Sequence, residues 1–452
     1  VNIIIAGIGK SGSAVMRQLL AEGHTLTVID KSTAALARVS DGYDAMPICG
    51  DCLTMDTLEE AGIKQANLLI SFTGSDETNL LCCLVARKLN SKVHTIPRIR
   101  NPEYVNLSTR LREEFGISMV VSPDLNAAKE MYMLMQFPAF LQRETFAKGR
   151  IEIVQLRVKE GSKLCQAPIS GLSALLGCKV LVCAVVRDGQ AFIPKGGGVL
   201  QAGDSVYVTA PNKVLSLLIR NLGIASKKIK RVMIVGGDRT SVYLARNLLD
   251  QGVSVKIIEN DPERSAQLDK LLPKATVITD DGASQDVLNR EGCDQMDALI
   301  TLTGLDEVNM IVSMYGVSRG VEKVITKINR IESPELLNGL NVGSIVSSTH
   351  LCSAIVAQYA RAMRKKSGAA LTVHPIAGGQ VEAVEFVIDG EARHVGQPLK
   401  NVPIRRDVLI CCIMHDGKTI IADGESTYQN GDIVVVAAPE NASILQFNDI
   451  FA

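Results

Sequence analysis

The sequence predicts an α/β protein built twice over: two doubly wound parallel-sheet domains, each followed by a small β-rich α+β lobe. Three observations predict it. The first is a duplication. Asn67–Leu80 reads NLLISFTGSDETNL and Asp297–Met310 reads DALITLTGLDEVNM; residues 61–80 and 291–310 agree at nine of twenty positions at an offset of 230. Gly7 and Asp30 find Gly236 and Glu259 at offset 229, while Asp188-Gly189 and Gly203-Asp204 find Asp416-Gly417 and Gly431-Asp432 at offset 228. Order preserved over that length means two copies of a unit of roughly 225–230 residues. The second observation is alternation of short apolar runs with helical stretches early in each copy, which argues for βαβ units and a parallel sheet. The third is a shortening of the period from about Arg150 onward, with Asp-Gly pairs set between apolar runs as in hairpins.

Taken in order, the strand-like runs are Ile3–Ala6, Thr25–Ile29, Leu68–Phe72, Val93–Ile96 and Ser118–Val121. Ile151–Val158, Lys179–Val186, Gln190–Ile193 and Ser205–Thr209 follow in the β lobe. The expected divisions are 1–145, 150–222, 229–350 and 370–452, with polar, basic connectors at 226–231 and 361–370. Met131–Leu141 is apolar and rich in methionine, with Pro138 inside; such a stripe is core or a subunit interface.

Composition narrows the function. Lys plus Arg equals Asp plus Glu at 48 each in 452 residues, so no basic field gathers nucleic acid, and no nucleic-acid partner is expected. Trp is absent and aromatics are 4%, which disfavours base-stacking platforms. Apolar residues are 46%, in short Val, Ile, Leu and Ala runs that suit strands buried on both faces. No uncharged apolar stretch reaches the ~18 residues of a membrane span. The chain opens directly into a strand-like run, and its eleven cysteines lack regular spacing. A cytoplasmic protein with reduced thiols is the expectation.

Gly7-Ile8-Gly9-Lys10-Ser11-Gly12 follows the first strand and opens a helix running to about Glu22, and the next strand ends in Asp30, 23 residues after Gly7. In that strand–helix–strand–acid setting GxGxxG is a Rossmann dinucleotide fingerprint. Gly7 allows the tight turn, Gly9 admits pyrophosphate to the helix N-terminus, and Gly12 lets helix and sheet approach. Asp30 would accept from both hydroxyls of an adenosine ribose and repel a 2′-phosphate. Thr73 and Gly74 fall at the carboxyl end of a buried strand, where such folds bind ligands. Asp76 and Glu77 are expected as a helix-capping cluster, and Arg98, more than Arg100, as a phosphate clamp. The second copy reads Gly236-Gly237-Asp238-Arg239-Thr240-Ser241. Asp238 puts a carboxylate and a Cβ where phosphate would approach, with Arg239 available to offset the charge; Glu259, Thr303 and Gly304 persist. A weak, altered or empty second site is expected.

Other patterns carry less. Gly9-Lys10-Ser11 lacks the upstream glycine of a P-loop, position 4 being Ile4. Cys49-Gly50-Asp51-Cys52 is a CxxC, but Asp51 opposes a thiolate and the matching Thr279–Gly282 has no cysteine. Ser318 of Gly316-Val317-Ser318-Arg319-Gly320 ends a helical stretch rather than a hydrolase elbow. No two of the six histidines stand in an HxxxH pair, so no helix-borne metal site is indicated.

With GIGKSG from Gly7, Asp30, Gly50-Asp51, TGSDETN from Thr73, Arg98 and the DG and GD pairs in place, the whole chain resembles the tandem RCK family. Its members alternate an RCK-N Rossmann-like lobe and an RCK-C lobe, twice. The resemblance implies a cytoplasmic regulator of potassium transport that is not an enzyme, peripheral on the inner face of the plasma membrane. It implies a homo-oligomeric ring, a tetramer of eight lobes, beneath a membrane-embedded K+ transporter subunit. The adenine nucleotide it would sense is NAD(H) and/or ATP/ADP. The first site would comprise Gly7, Ile8, Gly9, Lys10, Ser11, Gly12, Asp30, Lys31, Asp51, Thr73, Gly74 and Arg98, with Asp51 at the adenine edge and Cys52 at a small-residue position. The second would comprise Gly236, Gly237, Arg239, Glu259, Thr303 and Gly304. The rival, an NAD-dependent oxidoreductase, needs a proton-transfer residue facing the nicotinamide, and the first β lobe has no histidine. A free-standing nucleotide or redox sensor is the third reading.

Overall fold

The computed structural model describes every residue except 137, 139, 195, 223–227, 330–339, 364–369 and 443. The first half begins β1 (Asn2–Ala6), α1 (Lys10–Ala21), β2 (Thr25–Asp30), α2 (Thr33–Gly42), β3 (Ala45–Cys49), α3 (Met55–Glu60), β4 (Leu68–Ser71), α4 (Asp76–Leu89) and β5 (His94–Pro97). Helices α5 (Pro102–Asn106), α6 (Ser108–Phe115) and α7 (Pro123–Gln136) follow. The strands form one parallel sheet in the order β3-β2-β1-β4-β5. The direction of winding reverses between β1 and β4, which leaves a crevice at their carboxyl ends. The β lobe comprises β6 (Arg143–Phe146), β7 (Ile151–Arg157), α8 (Leu172–Leu176), β8 (Leu181–Arg187), β9 (Gln190–Phe192), β10 (Ser205–Pro211) and α9 (Asn212–Asn221). Its antiparallel order is β6-β7-β10-β8-β9.

The second half repeats both. Its first sheet uses β11 (Arg231–Val235), β12 (Ser254–Glu259), β13 (Thr276–Thr279), β14 (Ala298–Thr301), β15 (Lys323–Lys327) and β16 (Ser344–Val346). Between them lie α10 (Arg239–Asp250), α11 (Pro262–Leu271), α12 (Gln285–Arg290) and α13 (Asp306–Ser318), and α14 (Ser348–Met363) follows. The order β13-β12-β11-β14-β15-β16 matches the first sheet plus one strand. Strands β17 (Ala370–Ile376), β18 (Val381–Val387), β19 (Leu409–His415), β20 (Lys418–Ile421) and β21 (Ile433–Pro439) then repeat the first β lobe's order. In both lobes the Asp-Gly pairs close hairpins with positive φ at each residue: 50° and 78° at Asp188-Gly189, 47° and 75° at Asp416-Gly417. That geometry matches the twist of the flanking strands.

The strand expected at Ser118–Val121 is a single bridge from Arg98 to Val121. The amides of Ser118 and Met119 both donate to the Thr95 carbonyl, which breaks the ladder there. Its counterpart in the second half keeps register and becomes β16.

The two halves complete each other's cores. Helix α7 buries Ala127, Ala128, Met131, Leu134 and Met135 against Val242, Leu244, Ala245 and the second parallel sheet. Helix α14 returns the arrangement, burying Cys352, Val356, Ala357 and Ala360 among Val15, Met16, Leu19 and the first parallel sheet. Each fully buried aliphatic side chain contributes roughly 1.5–3 kcal/mol, so the exchange binds the halves firmly. Arg361 Nε donates to Glu22 Oε2 at 3.0 Å across this contact. The methionine-rich stripe is therefore core; its helix ends at Gln136, and positions 137 and 139 lie outside the described residues. Of the two basic connectors, 226–227 and 364–369 are likewise outside them.

The β lobes meet face to face, with Phe146, Ile151, Cys183, Ala184 and Tyr207 against Ile376, Val381, Cys411, Cys412 and Val435. Near this junction burial, reinforced by the negative charge of Glu144, pushes Glu130 on α7 up to about 7, and burial does the same to Glu382 on β18. Both folded values exceed the ordinary 4.5. Their stabilisation is therefore complete below that value and is lost as pH rises through 7. The melting temperature is expected to fall between pH 5 and 7, and to fall less steeply in Glu130→Gln. Equal slopes in a pH series of thermal melts would refute this.

Candidate functional site

The crevice of the first half is organised around the turn Gly7-Ile8-Gly9. Gly7 has φ +91°, and a Cβ there would lie 2.7 Å from the Phe72 carbonyl oxygen. A Cβ at Gly12 would run into the Gly7 carbonyl, so the helix can pass this close only without one. At Gly9, the N-cap of α1, a Cβ would meet nothing within 4 Å. Open space stands over a helix N-terminus whose cap has no side-chain oxygen bonded to the first-turn amides, the setting that receives a phosphate. Lys10 is exposed and Ser11 half-buried at the first turn.

Asp30, at the end of β2, accepts from Ile8 N at 2.8 Å through one oxygen and from Ser32 N at 2.9 Å through the other. It joins the glycine turn to the second strand, where a ribose would lie. Lys31 and Asp51 form an exposed ion pair at 2.9 Å. That bond, helped by the Leu53 amide, holds the Asp51 carboxyl below its ordinary range. Asp51 is thus already paired within the chain.

On the opposite wall, Arg98 donates to the Thr73 carbonyl and lies over the Phe72 ring at 5.9 Å. Burial lowers its pKa from the ordinary value. Arg100 donates to the Gly74 carbonyl at 2.6 Å. Asp76 is not a cap. It accepts from the amides of Arg100 and Asn101 at 2.8 and 2.7 Å, while Ser75 caps α4 and Glu77 accepts from Ser75 Oγ.

Sequence reasoning missed Asn79, the hub of this wall. Fully buried, it accepts at Oδ1 from Thr73 N (2.7 Å), Thr73 Oγ1 (2.8 Å) and Ser71 Oγ (3.1 Å), and donates to the Arg98 carbonyl at 2.9 Å. The signal was its repetition as Asn309, which accepts from Thr303 N at 2.8 Å and Thr303 Oγ1 at 2.7 Å.

The second crevice is assembled but engaged by its own side chains. Gly236 makes the turn at φ +102°, Gly237 N donates to Glu259 Oε2 at 2.6 Å, and Gly304 follows Thr303 after β14. Asp238 caps α10 by accepting from Ser241 N at 2.9 Å. Its charge is met by Lys327 from β15, not by the exposed Arg239. That corrects the expected role of Arg239: the partner lies 89 residues away, beyond any local pattern. Arg264 Nε also donates to the Gly237 carbonyl at 2.6 Å. Asp124 of α7 accepts from Thr240 Oγ1 at 3.2 Å, so the first half reaches this site.

The CxxC cysteines differ: Cys49 is exposed and Cys52 buried. Ser318 terminates α13 with its hydroxyl donating to the Tyr315 carbonyl at 2.7 Å, which is not an elbow.

Residues 3–123 and 232–348 match the TrkA-N domain family, and residues 153–223 the TrkA-C domain family. The chain belongs to the TrkA family. A Trk system potassium uptake protein TrkA homolog of Archaeoglobus fulgidus is 30% identical over 97% of both chains. TrkA of Vibrio alginolyticus is 28% identical over 96% of this chain and 95% of that one. Among solved structures, the GsuK RCK domain superposes with a TM-score of 0.62 at 17% identity, covering 97% of this chain and 92% of that one. The GsuK channel bound to NAD gives 0.60, again at 17%, over 97% and 77%. These establish the tandem RCK fold for this TrkA-family chain.

The first glycine turn yields a prediction. Gly9→Ala should fold normally, its melting temperature within about 2 °C of wild type, because the methyl group enters empty space and the loss of a cap glycine costs about 1 kcal/mol or less. The same methyl stands where pyrophosphate would approach, so nucleotide affinity should drop at least about tenfold, or ~1.4 kcal/mol. Calorimetric titration beside a thermal melt checks both; unchanged affinity would remove the glycine turn from the site.

Proposed function

We propose that the chain is the nucleotide-sensing regulatory subunit of a potassium uptake system, cytoplasmic and held at the inner membrane face by a membrane-embedded K+ transporter subunit (TrkH-, TrkG- or KtrB-like). The observation that carries this is the intact first crevice: a glycine turn with clear space at the helix N-terminus, flanked by Asp30 and by the Thr73–Arg98 wall. Family membership supports the partner and the transported ion. Among the described residues no helix is long and apolar enough to cross a membrane.

In this reading lobe 1–145 senses nucleotide, lobe 229–350 carries the altered second crevice, and these lobes together with 150–222 and 370–452 assemble the ring. Four chains form a ring of eight Rossmann-like lobes. Gly7, Ile8, Gly9, Lys10, Ser11 and Gly12 hold the phosphates, Asp30 the ribose, and Lys31 and Asp51 the adenine end. Thr73, Gly74 and Arg98 form the far wall. ATP, ADP and NAD(H) share the Asp30 contact, and ligands move a ring only by their difference in affinity between its states. Discrimination therefore falls to Lys10, to a residue of a neighbouring subunit, or to Arg98, which must leave the Thr73 carbonyl to meet a terminal phosphate. Gly236, Gly237, Arg239, Glu259, Thr303 and Gly304 line a crevice whose Asp238–Lys327 pair substitutes for a ligand.

Calorimetric titration of the full chain with ATP, ADP, NAD and NADH tests the reading. One site per chain is expected. Two equivalent sites would overturn the account of the second crevice, and no binding would sink nucleotide sensing.

A further inference from the structure

We propose that Thr349, a residue of the second half, completes the first crevice: it faces the terminal phosphate of the bound nucleotide, and its lack of charge admits that phosphate. The second crevice shows the same arrangement with its places filled. There Lys327 Nζ pairs with Asp238 and donates to Thr240 Oγ1 at 3.4 Å, and that hydroxyl donates to Asp124 Oδ1 at 3.2 Å. Asp124 comes from α7, the helix that the first half lays along α10. Two carboxylates therefore flank one lysine. Burial, and after it the charge of Asp238, raises the pKa of Asp124.

The duplication carries each of these places to the first crevice. At an offset of 229, Asp238, Thr240 and Lys327 become Gly9, Ser11 and Arg98. The backbone fixes the last correspondence, since Asn79 donates to the Arg98 carbonyl and Asn309 to that of Lys327, each at 2.9 Å. Arg98 bridges to Val121 as Lys327 pairs with Val346. Val121-Ser122-Pro123-Asp124 therefore corresponds to Val346-Ser347-Ser348-Thr349. Helix α14 lies along α1 as α7 lies along α10, which sets Thr349 toward Ser11 as Asp124 is set toward Thr240. Half-buried, Thr349 lines the same cavity as Ile8, Gly9 and Lys10.

What differs between the two crevices is charge. The second supplies its own anion in Asp238 and sets Asp124 beside it. The first has no carboxylate at either place. Gly9 leaves the anion's place open, Arg98 stands where Lys327 does, and the Thr349 hydroxyl donates to a phosphate oxygen. A carboxylate at 349 would meet that phosphate as a like charge at short range in a partly buried site, where salt screens little. A nucleotide held this way touches both halves of the chain. The inference rests on the nucleotide reading above, and its test separates the two.

ATP, NAD and inorganic pyrophosphate are titrated into the full chain and into Thr349→Asp, Thr349→Asn and Thr349→Lys. EDTA is present, so that no divalent cation bridges the new carboxylate to phosphate. Thermal melts of the ligand-free proteins run alongside. Position 349 lies in the first turn of α14, where an acidic residue is favoured, so Thr349→Asp should melt no lower than wild type. Its ATP affinity should nevertheless fall at least about tenfold, while Thr349→Asn stays within about threefold and Thr349→Lys binds more tightly. The loss should be smaller for NAD, whose phosphates carry less charge. Unchanged ATP affinity in Thr349→Asp, or losses that do not follow the sign of the charge at 349, overturns the proposal. If wild type binds pyrophosphate but neither nucleotide, the nucleotide reading fails and the pyrophosphate affinities of the three variants decide Thr349. If it binds none of the three ligands, both fall.

Discussion

Asp30→Ala is expected to weaken adenine-nucleotide binding at least about 100-fold. A carboxylate accepting from both ribose hydroxyls makes two charge-assisted hydrogen bonds of about 1.5–3 kcal/mol each, and their joint loss against water is on the order of 3 kcal/mol. Asp30 also satisfies the amides of Ile8 and Ser32, so the variant loosens the glycine turn as well. Asp30→Asn separates the two roles. An amide oxygen can still accept from one of the two turn amides while its NH2 faces the other, and the negative charge is gone, so a loss of roughly tenfold is expected with a smaller drop in melting temperature than in Asp30→Ala. Titration of both variants with the tightest ligand of the wild type decides the matter. Asp30→Ala binding as wild type does would remove this crevice as the nucleotide site.

Arg143→Met is expected to destabilise the chain by about 3–5 kcal/mol, the usual result of leaving a buried charge without its partner. Arg143 of β6 donates through Nε to Glu152 Oε2 at 2.7 Å and through a terminal nitrogen to Oε1, with the Glu152 side chain fully buried and that of Arg143 6% exposed. At about 4–8 °C per kcal/mol for a lobe of this size, the melting transition should move down by at least about 12 °C. The double variant Arg143→Met, Glu152→Met removes both charges and keeps an apolar fill, so it should recover most of the loss. Thermal melts of the two single variants and the double variant form the cycle. A double variant no more stable than Arg143→Met would show that packing, not the orphaned carboxylate, sets the effect.

Much of the site was legible because it is local. Gly7, Gly9, Gly12 and Asp30 lie within one strand–helix–strand unit, so their spacing reports their geometry, and the structure brings them together around one turn. The hairpins were legible for the same reason, since Asp-Gly specifies its own backbone. What could not be read was pairing at a distance. Lys327 meets Asp238 across 89 residues, and neither residue type nor spacing advertises it. Asn79 stood in plain view within TGSDETN, yet its four hydrogen bonds depend on where β4 and β5 place Ser71, Thr73 and Arg98.

By itself the sequence determined that the chain is a duplicated α/β protein, with an intact nucleotide fingerprint in one copy and an altered one in the other. Periodicity and turn chemistry are short-range, and both repeat faithfully. Only the tertiary structure decided which surfaces those elements cover. The apolar stripe on α7 demanded burial without naming its partner. The fold lays α7 on α10 of the other copy and α14 on α1, because hydrophobic burial is non-directional and the shape of the facing surface selects where it is satisfied.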